Sequence, residues 1–404
     1  MNNRNFSFDL LRALATVSVV ALHVAGPVLY EYGSLPAGEW WTANAIDSAV
    51  RFSVPIFLML TGALLLPRME PAGQFLKRRF ARLLWPFIFW SVVYLGVAMY
   101  FSTADTDIVS FLVRRFKTGA SFHLWYVYML IGIYLLMPVL QRWVAMASRR
   151  DVEYFLILWL VALFAAQPYV AAYLPDFNLM YFSGYVGYPV LGYYLNRYFL
   201  EKKEPHDTSI HRKTAAAETT SELSESPAIN PRITTGIGLT LLISGFLVTF
   251  VGTGWISSLR NHFDQTFYEY LSFNVIAMAA GVFLLVGRKQ AGRQRMETMK
   301  AGVDGFTERQ PKWSVGIRRL VETLSRYSYG IYLSHLFVLK LATFLQWDLL
   351  LKKLSGNQTG GLVDTAMALH PAIGIPLLTV ATTLVALGIT MALSKLPGGK
   401  YISG

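Results

Sequence analysis

Apolar residues gather in long unbroken runs rather than in alternating or narrow helical stripes. A helix needs about 20 predominantly apolar residues to cross a bilayer. Ten windows approach that length, roughly residues 9–30, 45–66, 83–101, 122–140, 153–172, 179–199, 233–252, 268–287, 326–346 and 372–394. The pattern predicts an all-α, polytopic membrane bundle forming a single embedded domain over residues 1–404. The first window is expected to stay in the mature chain. It is long, contains Arg12 and His23, and is followed by no small-residue cleavage site.

Composition supports this class. Hydrophobic residues make up 54% of the 404 residues and charged residues 15%, against about 25% charged in a typical soluble domain. The net charge of +12 first suggests a polyanionic partner, but its distribution argues otherwise. With the N-terminus inside, 26 of the 36 Lys and Arg fall in inside segments, 6 in outside loops and 4 within spans. This positive-inside bias predicts both termini in the cytoplasm and removes nucleic acid as a partner. Residues 201–231 are Ser/Thr/Glu-rich with three prolines, the composition of a disordered cytoplasmic linker. Residues 288–313 form a second, basic cytoplasmic loop suited to anionic lipid. The chain has no cysteine, which excludes disulfides, thiolate metal sites and a thiol nucleophile. No metal-ligand spacing is present, so no metal is expected.

The first span carries a polar stripe. Arg12 and His23 are eleven residues apart, which returns to within about 20° of the same helical face and separates them by roughly 16 Å. Asp9 and Thr16 lie near the same line. Ionisable groups facing lipid cost several kcal/mol, so the stripe must face inward. A plainer reading makes Asp9 and Arg12 an interfacial pair with snorkelling side chains. Counting along the helices from the cytoplasmic edge puts Arg12 about 5 Å deep, His23 and Arg51 about 20 Å, and His335 about 13 Å. His123 falls near the outer face.

At these residues the chain resembles the acyltransferase-3 family of integral membrane O-acyltransferases. The resemblance rests on Asp9-Leu10-Leu11-Arg12-Ala13 running to His23, on Val54-Pro55 through Thr61-Gly62, and on Phe75-Leu76-Lys77-Arg78-Arg79-Phe80-Ala81-Arg82. It continues with His123-Leu124-Trp125-Tyr126 and with Tyr327-Ser328-Tyr329-Gly330 through Ser334-His335. Ala13 and Thr61 stand where the family favours Gly and Ser. The resemblance covers spans 1 to 4 and 9.

It implies a bacterial inner-membrane enzyme that moves an acyl group, acetyl by family frequency, from cytoplasmic acetyl-CoA to a hydroxyl of a cell-surface glycan or its lipid-linked precursor. His23 would act as the base or as a covalent acyl carrier. Arg12 would assist the donor, and Lys77, Arg78, Arg79 and Arg82 would hold its phosphates or simply mark the cytoplasmic edge. Arg51 would stabilise an oxyanion or contact the acceptor, unless it pairs with Asp47. His335 and Ser328 would contact substrate or organise the core. His123 and Trp125 would meet sugar at the outer mouth or belong to the aromatic belt. Two other classes fit the spans alone: a transporter or flippase for a polysaccharide unit, and a scaffold using the two long loops.

Overall fold

The computed structural model describes residues 5–100, 113, 115, 119–171, 184–200, 230–301, 312–344 and 370–404. Among these residues the chain is helical, with no strand. The helices are α1 (Phe6–Leu29), α2 (Ala37–Val50), α3 (Ser53–Leu65), α4 (Ala72–Tyr100), α5 (Trp125–Met146) and α6 (Arg149–Ala165), followed by α7 (Gly187–Leu195), α8 (Pro231–Arg260), α9 (Phe273–Ala301), α10 (Lys312–Arg326), α11 (Ser328–Phe344) and α12 (His370–Ser394).

Local sequence sets the helix ends. Asn5 caps α1 by accepting from Phe8 N. Ser148 and Asp151 close a reciprocal capping box at the start of α6. Asn230 caps α8 with Pro231 at the first helical position, and Asn261, at φ 54°, ends it in the left-handed region.

Seven stretches of the described residues are long and apolar enough to span a membrane, including Ala37–Leu65 as one unit. Among the described residues, the predicted windows at 153–172, 179–199 and 326–346 contain shorter helices. These are α6, α7 with a π-helical turn at Asn196–Leu200, and α11. The predicted second span, 45–66, starts earlier and is broken. Pro55 cannot donate to the carbonyl of Arg51, and its ring crowds that carbonyl, so α2 ends and α3 begins across Arg51 and Phe52. The basic stretch expected as a loop from residue 288 continues α9 as helix to Ala301. Residues 201–229 of the expected linker 201–231, and residues 302–311 of the expected basic loop 288–313, lie outside the described residues.

Helix α1 occupies the centre, packing against α2, α3, α9, α10, α11 and α12. It is therefore buried on most sides, and its polar positions face protein. Helix α8 is peripheral. Gly238, Gly245, Thr249 and Thr253 are buried, while Ile233, Ile243, Leu247, Val251 and Leu259 are exposed. Small residues inward and aliphatic residues outward is the arrangement lipid selects.

The tightest crossing joins α3 and α7. A methyl on Gly62 would collide with the backbone of Pro189, and one on Gly192 with the backbone of Met59. Gly26 has open space around its Cα. Gly192→Val should therefore cost about 1–3 kcal/mol through overpacking. It should lower the thermal unfolding midpoint in detergent, whereas Gly26→Ala should leave that midpoint unchanged or raise it.

Candidate active site

Five helices, α1, α3, α4, α5 and α11, converge on a cavity of about 290 Å³. Arg12 from α1, Arg79 and Arg82 from α4, and Ser328, Tyr329 and Tyr332 from α11 line it, with Thr61, Tyr126 and Tyr134. Apolar walls are supplied by Phe57, Leu60, Leu64 and Leu83. It therefore combines three guanidiniums with several hydroxyls and an apolar lining.

The guanidinium of Arg12 is fixed by α10. Its Nη1 donates to Ser325 Oγ at 3.2 Å, and Ser325 Oγ donates to Asp9 Oδ1 at 2.5 Å. Arg12 and Asp9 also form an ion pair at 3.9 Å. Asp9 is buried while Arg12 keeps about a third of its side-chain surface, so the carboxylate anchors and the cation reaches into the cavity. The basic run of α4 divides. Arg79 and Arg82 line the cavity, Arg78 pairs with Glu70, and Lys77 is exposed. Arg79 Nε is buried with no hydrogen-bond partner among the described residues, a donor suited to an incoming anion.

Tyr126 and Tyr332 both line the cavity, their rings meeting edge-on at 5.3 Å. Next to Tyr332 are three imidazoles. His23 and His335 are stacked at 5.1 Å, His123 and His335 meet at 5.2 Å, and His23 and His123 at 6.5 Å. None of the three lines the cavity. Tyr332, which lines the cavity, also meets two of the imidazoles, 5.6 Å from His123 and 5.9 Å from His335, and its hydroxyl donates to the His123 carbonyl.

The backbone sets the protonation of one ring. His335 Nδ1 lies 2.6 Å from the Tyr332 carbonyl. A carbonyl only accepts, so Nδ1 carries the hydrogen and Nε2 of the neutral ring keeps its lone pair. That Nε2 is buried with no hydrogen-bond partner among the described residues. His123 Nδ1 is 3.1 Å from Ser121 Oγ. His23 retains some accessible surface. In α1, Pro27 stands four residues after His23 and denies its carbonyl the usual helical donor.

The structure thus brings His23, His123 and His335 together, and brings Arg12, Arg79, Arg82 and Ser328 together. His123 departs from the expected outer-mouth position. A 3₁₀ turn at Phe122–Leu124 turns it inward, where it is 1% exposed, while Phe122 stays 64% exposed and packs edge-on against His23 at 5.3 Å. Trp125 stacks with Tyr270 at 5.8 Å and lies 5.7 Å from Tyr185.

Arg51 sits at the break between α2 and α3. It donates to Asp47 Oδ2 at 2.7 Å and lies 3.9 Å above the Tyr268 ring. Tyr268 in turn donates to Asn44 Oδ1 at 2.6 Å. The ion-pair alternative for Arg51 is therefore present. Sequence reasoning did not single out Tyr332, Tyr134 or Ser325. Tyr332 stood inside a quoted motif, while nothing in sequence marks Ser325. Among the described residues no group of three or more His, Asp or Glu is arranged to hold a metal ion.

Comparison with known proteins gives two findings. The profile of a family described as an acyltransferase domain matches residues 5–392. The nodulation protein NolL of Sinorhizobium fredii (strain NBRC 101917 / NGR234) is 24% identical over 162 residues, covering 36% of this chain and 41% of that protein. The match thus spans less than half of that relative's length. No solved structure matches the chain.

Removing one partner of a buried ion pair costs about 3–5 kcal/mol because the other charge is stranded. Asp47→Ala should therefore destabilise strongly. The paired replacement Asp47→Leu with Arg51→Met should recover most of the loss. Thermal unfolding of the purified variants measures both.

Proposed function

The chain belongs to the acyltransferase-3 family, and from that premise we propose that this multi-pass membrane protein transfers acetyl from cytoplasmic acetyl-CoA to a hydroxyl of a glycan or its lipid-linked precursor, in the bacterial inner membrane. One observation carries the reading. Tyr332 both lines the basic cavity and touches two rings of the imidazole cluster, so the two groups adjoin at one tyrosine.

The residues fit the donor. Arg12, Arg79 and Arg82 suit the phosphates of coenzyme A through charge-assisted hydrogen bonds, and Leu60, Leu64 and Leu83 suit its uncharged arm. The donor, when bound, supplies an activated thioester. The hydroxyl is the poor partner and needs a base. His23 takes its proton, either in direct transfer or after carrying the acetyl as an acyl-imidazole. His335 stacks on His23 and orients it. Arg51 supplies positive charge near the reacting carbonyl. Ser328 and Thr61 offer hydroxyls along the cavity. His123 supports the cluster from α5, and Trp125 offers an aromatic face to a sugar ring.

The two ends of this arrangement should separate kinetically. His23→Ala should lower kcat about 100-fold or more, the span expected for a general base, with a small effect on KM for acetyl-CoA. Arg79→Ala should raise that KM with kcat nearly intact, the signature of lost uniform binding. Acetyl transfer by purified enzyme in proteoliposomes reads both. Wild-type rates in His23→Ala sink the assignment. Movement of glycan without acetylation would favour the flippase class instead.

A further inference from the structure

Helix α10 is not among the membrane-spanning candidates. It is 15 residues long, about 22 Å at helical rise, and amphipathic. Val321, Leu324 and Ser325 turn toward the bundle: Val321 and Ser325 are buried, and Leu324 packs on the core. Ile317 and Leu320, on its neighbouring flank, are 53% and 49% exposed. Beside them stand exposed Arg318 and Arg319. With Lys312, Arg326 and Glu322 the helix carries a net charge of +3. An exposed aliphatic edge flanked by arginines is the surface a helix presents when it lies in the headgroup layer of an anionic bilayer.

The inner side of the same helix reaches the cavity. Ser325 Oγ receives Arg12 Nη1 and donates to Asp9 Oδ1, spanning more than 300 residues of chain. Arg318 lies 5.5 Å over the ring of Phe6, the first residue of α1. Contacts therefore tie α10 to the first turns of α1, from Phe6 at the helix start to the Arg12 guanidinium itself.

We propose that α10 rests on the anionic lipid surface and that, through Ser325, this seating positions Arg12 in the cavity, so that acidic lipid strengthens engagement of the acyl donor. The partner is the lipid headgroup, and Ser325 is a positioning residue. The proposal rests on the reading of the cavity as the donor site.

The test uses full-length protein in vesicles of phosphatidylcholine alone or of phosphatidylcholine with phosphatidylglycerol. The wild type should bind acetyl-CoA several-fold tighter in the acidic vesicles. Surface potential alone would repel the anionic donor and weaken it, so tightening has the opposite sign to the trivial effect. Ser325→Ala removes a hydrogen bond to a charged group and should raise KM for acetyl-CoA roughly ten-fold. It should leave kcat nearly unchanged and erase the difference between vesicles, while Ser325→Thr restores both.

The chain lacks cysteine, so Leu320→Cys can carry a polarity-sensitive fluorophore. Its emission should shift to the blue in acidic vesicles, and Arg319→Gln on the same background should reduce the shift. Equal binding in the two vesicle types, an unshifted fluorophore, or a Ser325→Ala variant that keeps the lipid response overturns the proposal. Failure of the wild type to bind acetyl-CoA in either vesicle overturns the reading of the cavity.

Discussion

A charge in hydrocarbon costs several kcal/mol, and this one penalty organises the molecule. Helix α1 carries Asp9, Arg12, Thr16 and His23, so it cannot sit at the rim. It occupies the centre and is wrapped by six other helices. Each polar group along it then receives protein as its environment. Asp9 meets Ser325, Thr16 returns its hydroxyl to the Arg12 carbonyl at 2.7 Å, and His23 meets two further imidazoles. The polar content of one helix thus dictates which helices surround it.

Proline refines the same scheme. An in-helix proline denies the carbonyl four residues earlier its donor. Here those carbonyls belong to His23 (Pro27), Arg51 (Pro55), Arg82 (Pro86) and Tyr134 (Pro138). Four residues of the cavity or its surroundings therefore sit where their helix is locally loosened. At Arg51 the effect is large enough to split the span. A break at that point lets the cation remain at depth beside Asp47 and Tyr268 rather than climb toward water.

Much of the fold was legible because hydropathy needs no tertiary knowledge. The helical class, the boundaries of α1 to within three residues, and the inward stripe from Asp9 to His23 follow from composition and helical period. The broken second span was readable in principle from Pro55, yet hydropathy averaging hides a two-residue interruption. Depth arithmetic put His23 level with Arg51 and His335 about 7 Å, less than a turn and a half of helix, from that level. It could not bring in His123, because a 3₁₀ turn rather than a regular helix turns that ring inward. Lateral neighbours such as Ser325 and Arg12 are set by packing among helices distant in sequence, which a single chain does not display.

The aromatic contact of Tyr126 with Tyr332 has a consequence for the cell rather than for the reaction. A line of titratable side chains running through a bilayer is a wire along which protons leak, and such a leak dissipates the electrochemical gradient. Here the Tyr332 hydroxyl is committed to the His123 carbonyl, and its ring, edge-on to Tyr126, stands where the basic cavity meets the imidazoles. The one proton of that hydroxyl is thereby held on a backbone carbonyl rather than offered to a neighbouring ring.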